Sequence, residues 1–160
     1  MAPGSVWATK KWTAEGYAEL AKKLQENGYQ IAFIGAENEK EECEKIIRQV
    51  GRAINLCGST NLIESMLLMR RSALLVTNDT GAAHLASLVG LKTISIFGPT
   101  VLEFGYRPWN SASIINQVPL KCRPCGKHGS DKCPIGTHDC MKLVNATNVL
   151  INAEKLLNKL

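Results

Sequence analysis

The segment Asp79-Thr80-Gly81-Ala82-Ala83-His84 carries the chemistry best suited to an anionic ligand. It sets backbone N–H groups and a hydroxyl at the start of a predicted helix, where the helix dipole favours a phosphate. Gly81 lets a ligand come close to the backbone. Asp79 would repel a phosphate, so two readings stand: it accepts hydrogen bonds from sugar hydroxyls, or it caps the helix, with His84 an ordinary helix residue. Two further loops offer matching groups. Pro3 to Lys11 supplies Ser5 and Lys10, and Gly35 to Glu39 supplies a carboxylate. Taken alone, Lys10 beside Lys11 reads as an exposed lysine.

A second constellation is Cys122-x2-Cys125-x7-Cys133-x6-Cys140, with His128 and His138 interspersed. Tetrahedral zinc takes such sets, and the first pair has metal-type spacing, whereas the last two cysteines are singles. Structural zinc, a reduced loop and a disulfide formed after purification are the competing readings. Cys43 and Cys57 lie in apolar-periodic stretches and read as small buried hydrophobes.

The elements that must position these groups alternate between strand and helix, the mark of a Rossmann-like α/β fold with a parallel sheet and helices on both faces. Thr13 is a cap for a helix with Tyr17, Leu20, Ala21 and Leu24 on one face, stopped by Asn27-Gly28. Strands are predicted at 31–34, 54–57, 73–77, 93–97 and 113–115, and helices at 37–50, after Asn61 (with Leu62, Met66, Leu67 and Met69), and at 82–89. Residues 121–141 form a Cys-rich loop, and a helix over 145–160 sets Val149, Leu150, Ala153, Leu156 and Leu157 on one face. Ligands of open parallel sheets bind beyond the carboxyl ends of the strands, which puts the three ligand-bearing loops on one rim. A doubly wound unit opens with a strand, yet residue 1 lies only a few residues before the loop that should follow one. A missing opening strand would leave an unpaired edge, and the last helix would keep part of its stripe uncovered, so self-association is expected.

The 160 residues suffice for one domain with a core, and 45% hydrophobic content fits a globular protein. A formal charge of +5 is spread over pairs such as Lys22-Lys23 and Arg70-Arg71, without the dense basic stripe of a nucleic-acid binder. The start, Met-Ala-Pro-Gly-Ser, is neither basic nor apolar enough for a secretory signal, and no long apolar run occurs, so a cytoplasmic location is expected.

In fixed order stand Pro3-Gly4-Ser5, Lys10-Lys11-Trp12, Tyr17-Ala18-Glu19-Leu20, Asn78-Asp79-Thr80-Gly81-Ala82-Ala83-His84-Leu85-Ala86, Phe97-Gly98-Pro99-Thr100, Cys122-Arg123-Pro124-Cys125, Cys133-Pro134 and Cys140-Met141. Together they resemble the bacterial lipopolysaccharide core heptosyltransferases, glycosyltransferase family 9, over nearly the whole chain. The resemblance implies the C-terminal, donor-binding half of a two-domain GT-B enzyme, with residues 1–160 as one nucleotide-sugar-binding domain and the N-terminal acceptor domain absent. It implies that Lys10 meets the donor diphosphate with Ser5 nearby, that Glu39 binds the ribose, and that Asp79, Thr80 and Gly81 surround the sugar and phosphates, with His84 one helical turn in. Thr60 stands where some members place a larger apolar residue beside the base.

The implied reaction is inverting transfer of heptose from ADP-heptose to the lipopolysaccharide inner core, with no cofactor beyond the ADP-sugar. Such a transfer needs a base on the acceptor hydroxyl and positive charge for the leaving diphosphate. The family's base is an aspartate of the other domain, which no residue here matches, so the isolated chain is expected to be inactive. The full-length enzyme would be cytoplasmic and peripheral at the inner membrane. A stand-alone nucleotide-binding module and a zinc-containing adaptor are the alternatives.

Overall fold

Side-chain caps start three of the helices in the computed structural model, which describes residues 1–158. Thr13 begins α1 (Ala14–Glu26) by accepting the Gly16 N–H at 3.0 Å. Asn61 and Glu64 cap α3 (Leu62–Arg70) reciprocally, with bonds of 3.0 and 2.8 Å that satisfy two donors a helix start otherwise leaves open. Asn145 accepts from Thr147 N–H to open α6 (Ala146–Leu157). The other elements are β1 (Ile31–Phe33), α2 (Lys40–Val50), β2 (Ala53–Asn55), β3 (Leu75–Asn78), α4 (Gly81–Leu88), β4 (Thr93–Phe97), β5 (Ser113–Gln117) and a short α5 (Asp139–Lys142).

Every strand pair is parallel: β1 with β2, β3 with β4, and β4 with β5. The first residues of the chain join the two groups. Ile34 N–H donates to the Met1 carbonyl and Ala2 N–H to the Val76 carbonyl, both at 2.9 Å, and Ala2 bridges Thr77 in parallel. Met1 and Ala2 thereby take the place of a central strand, and the order across the molecule is β2, β1, Met1–Ala2, β3, β4, β5. The unpaired edge expected from the missing opening strand is filled by these residues. Succession along the chain runs outward in opposite directions from Met1–Ala2 and from β3, which makes this the switch point of a doubly wound sheet. The loops that leave it, Pro3 to Lys11 and Asn78 to His84, therefore face each other.

Helices cover both faces. On one, α1, α2 and α6 bury Tyr17, Leu20, Ile46 and Val149 against Phe33 and Ile94; on the other, α3 and α4 bury Met69 and Ala86 against Ile34 and Leu75. Apolar periodicity misleads in α3, where Leu62 and Leu67 lie more than half exposed and Met69 is the buried residue. Ile54 is likewise exposed because β2 is the outer strand. Most of the α6 stripe is covered: Val149, Ala153 and Leu156 are buried and Leu150 and Leu157 are partly buried, with α6 packed on α1 and β4. Of the two features on which self-association was expected, the open edge is closed by Met1 and Ala2 among the described residues, and the α6 stripe keeps only Leu150 and Leu157 partly exposed. Lys159 and Leu160, the end of the predicted last helix, lie outside them. Among the described residues no helix is long and apolar enough to cross a membrane.

Gly16 shows how tightly α1 is seated. A Cβ there would lie 2.4 Å from the Trp12 ring, and that ring is pinned by its Nε1–H bond to the Val144 carbonyl at 3.0 Å and by its edge-on contact with Tyr17. Alanine at a helical glycine gains about 1 kcal/mol in propensity, whereas overpacking a core costs about 1–3 kcal/mol. Gly16→Ala is therefore expected to be neutral at best and to lower the urea midpoint; a higher midpoint would mean that Trp12 yields freely.

Candidate functional site

Both loops at the switch point are tied down by Asn78, the last residue of β3. It is fully buried, and each end of its amide is in use. Oδ1 accepts from Trp12 N–H at 3.0 Å and from the Tyr17 hydroxyl at 3.2 Å, while Nδ2 donates to the Pro3 carbonyl at 2.7 Å. Burial pushes the Tyr17 phenol well above its ordinary pKa, so it stays a donor. One side chain thus fixes the start and the end of the Pro3 to Lys11 loop.

Within that loop a short turn, Ala8–Lys10, sends Lys10 back into the site. Its ammonium meets Asp79 Oδ2 at 2.6 Å, and the two side chains are 9% and 4% exposed. Thr100, also fully buried, donates its hydroxyl to the same carboxylate oxygen at 2.7 Å. The ring of Tyr106 lies 5.1 Å from the ammonium, close enough for a cation–π contact. Lys10 is therefore a buried cation, contrary to its reading as an exposed lysine. Asp79 precedes the first turn of α4 and is held by Lys10 and Thr100; the capping position belongs to Thr80, which makes no side-chain cap bond. That leaves Thr80 beside helix-start N–H groups that a ligand can use.

A cleft of about 370 Å³ opens in front of this helix start. Ser5, Glu39, Thr60, Thr80 and Gly81 line it, together with the apolar side chains of Ile34, Met69 and Leu85. Glu39 is steered by its own loop, since its Oε2 accepts the Ala36 N–H at 2.8 Å. The carboxylate fits between two residues without side chains: a Cβ on Gly4 would stand 1.8 Å from Oε1, and one on Gly35 would stand 2.4 Å from Oε2. Thr60 shares a 2.8 Å hydrogen bond with the Ser65 hydroxyl. His84 stands away from the cleft. Its ring packs at 5.4 Å from that of Trp109, on the side of α4 that faces residues 106–112.

The Cys-rich segment docks onto the same loop. Thr9 and Ser130 exchange backbone and hydroxyl hydrogen bonds of 2.8–3.0 Å, and His138 Nε2 lies 2.9 Å from the Thr9 carbonyl. Of the competing readings, zinc finds no support in the geometry: among the described residues no group of three or more His, Cys, Asp or Glu side chains converges as a metal site. Cys122 is exposed while Cys140 is buried, and His138 is committed to Thr9. The cysteines also differ chemically. Burial pushes the Cys140 thiol up to about 11, whereas backbone N–H groups of His138 and Ile135 lower that of Cys133. At neutral pH, iodoacetamide is therefore expected to label Cys133 well before Cys140, as read by peptide mass spectrometry; equal rates would contradict the docked arrangement.

A family model described as "Glycosyltransferase family 9 (heptosyltransferase)" matches residues 1–135. The chain belongs to this family. Lipooligosaccharide heptosyltransferase 2 of Campylobacter jejuni is 30% identical over 161 residues, which cover 97% of this chain and 49% of the relative. The solved structure of E. coli ADP-heptose LPS heptosyltransferase II superposes with a TM-score of 0.82 at 26% identity, over 98% of this chain and 45% of that one. E. coli heptosyltransferase WaaC, solved with ADP, shares the fold with a TM-score of 0.77 at 18% identity, over 97% of this chain and 43% of that one. This heptosyltransferase-family chain thus spans about half the length of its relatives, in a Rossmann-like fold that corresponds to half of a GT-B enzyme.

Two buried residues of the family motifs carry roles that reading the motifs alone did not assign. Asn78 stands within the Asn78-Asp79-Thr80-Gly81 run and Thr100 ends Gly98-Pro99-Thr100, yet what they hold lies some 20 to 75 residues away along the chain.

Proposed function

We propose that this chain is the donor-binding half of a lipopolysaccharide heptosyltransferase and that the cleft at the α4 start holds ADP-heptose. The carrying observation is the buried Lys10 ammonium beside the open helix start, with the Glu39 carboxylate across the cleft. A diphosphate laid over Thr80 and Gly81 meets helix-start N–H groups and one cation, the charge that a departing nucleoside diphosphate needs in the transition state. Glu39 accepts from ribose hydroxyls, and the base lies on Ile34, Met69 and Leu85 near Thr60. Solved relatives named for ADP-heptose or bound to ADP support the choice of nucleotide. The lipopolysaccharide-core acceptor and the base that deprotonates it belong to the other half of the enzyme, so inverting transfer requires both halves.

Calorimetry with ADP tests the reading. One-to-one binding is expected. Thr80→Ala and Glu39→Ala each remove a ligand hydrogen bond, one of them charged, and should weaken ADP by about 5- to 100-fold, the equivalent of about 1–3 kcal/mol. No heat at millimolar ADP, or equal affinity in the wild type and both variants, would remove the assignment.

A further inference from the structure

The nucleoside side of the proposed site is the side of α4 that carries Leu85. A diphosphate with its nucleoside there sends its other substituent, the transferred sugar, across the helix start to the opposite side. What stands there is a segment that runs from Phe104 to Asn110. It lays the Tyr106 ring against the Lys10 ammonium and, three residues on, the Trp109 indole against His84, with ring centroids 5.4 Å apart and planes tilted by 50°. The segment is anchored, since Asn110 donates its side-chain N–H to the Leu91 carbonyl at 2.9 Å and its backbone N–H to the Ser87 hydroxyl at 3.4 Å.

Two features of this corner lack a packing explanation. Trp109 is 72% exposed although its loop is tied down, so one face of an anchored indole, a large and rigid contact surface, is left free beside the helix start. Beneath it, His84 Nδ1 is buried with no hydrogen-bond partner. Buried polar atoms in native folds are normally paired, so the unpaired Nδ1 beneath the indole is not accounted for by the packing of the chain itself. A pyranose ring offers the exposed indole a C–H face to lie against. His84 is one helical turn from Gly81, about 4.5 Å along the axis, the distance a sugar ring adds to a phosphate.

We propose that Trp109, packed at a tilt against His84, is a specificity-determining residue that receives the pyranose ring of the transferred sugar, with Tyr106 continuing the wall towards Lys10. This rests on the cleft being the nucleotide site. No covalent step is involved. The sugar's apolar face lies on the exposed face of the indole.

Calorimetry with ADP and with ADP-heptose on the same protein separates the two readings. The wild type should bind ADP-heptose at least tenfold more tightly than ADP. Trp109→Ala should reduce that ratio to within threefold of unity while keeping its affinity for ADP within threefold of wild type, and Trp109→Phe should restore most of the ratio. Because the side chain is exposed, retained ADP binding also reports that the variant is folded. If ADP binds but Trp109→Ala keeps the full ratio, or if the wild type shows no preference for ADP-heptose, the Trp109 assignment is overturned and the cleft reading stands. If the wild type does not bind ADP, both fall.

Discussion

Lys10→Ala is expected to destabilise the fold by about 3–5 kcal/mol, the usual cost of removing one partner of a buried ion pair. The reason is the partner left behind. Asp79 is 4% exposed in its side chain, and without the ammonium at 2.6 Å its carboxylate keeps the Thr100 hydroxyl but loses its counter-charge. An exposed lysine would cost almost nothing to remove, because surface pairs contribute about 0–1 kcal/mol. The double variant Lys10→Ala/Asp79→Asn should recover much of the loss, since a neutral amide in the same place needs no cation. Urea unfolding of the wild type, both single variants and the double variant gives the coupling directly. A Lys10→Ala protein within 1 kcal/mol of wild type would show that the pair is not buried in solution. The same pair bears on the proposed function: a diphosphate bound as proposed would compete with Asp79 for the ammonium, while the Thr100 hydroxyl would still hold the carboxylate.

The second large effect is expected at Asn78. Leucine has nearly the same size but offers no hydrogen bonds, so Asn78→Leu strands the Trp12 N–H, the Tyr17 hydroxyl and the Pro3 carbonyl in the interior. Each stranded group costs about 1–3 kcal/mol, so a loss of roughly 3–6 kcal/mol is expected once non-additivity is allowed for, a large share of the 5–15 kcal/mol typical of whole domains. Asn78→Asp keeps the shape and the acceptor but turns a carboxylate oxygen towards the Pro3 carbonyl, and it should be no better. Any folded fraction of either variant should also bind ADP poorly, because the loop that carries Ser5 and Lys10 loses its anchor at both ends. Chemical denaturation and ADP titration measure the two effects separately. If Asn78→Leu loses less than 1 kcal/mol, Asn78 does not hold the switch point together.

How far the residues speak for themselves depends on the range of the interaction. Thr13, Asn61 and Asn145 were legible as helix starts, or lay within a residue of one, because a cap acts within three residues of itself. The runs 31–34 and 93–97 were legible as buried strands for the same local reason. The strand-to-helix loops put Ser5, Glu39, Thr80 and Gly81 on one rim and the family resemblance added Thr60; the cleft brings those five together, while Lys10, Asp79 and His84 lie outside its lining. The order of the loops along alternating strands and helices is enough, since in a doubly wound sheet every strand-to-helix loop emerges on the same side.

What needed the tertiary structure was every choice of partner. Periodicity marks a residue as apolar but not whether an element packs over it, so Leu67 and Ile54 end up exposed on a helix and an outer strand that nothing further covers. The spacing of the cysteines is compatible with zinc, but spacing carries no orientation, and docking through Thr9 sends the four thiols to different environments. Whether Lys10 is a surface lysine or a buried cation depends on Asp79 and Thr100, 69 and 90 positions away. Local chemistry by itself determined the elements, their order and the rim. Burial, pairing and the meeting of Trp109 with His84 were decided by the folded chain, because electrostatics and packing act through space and the chain order does not record which surfaces meet.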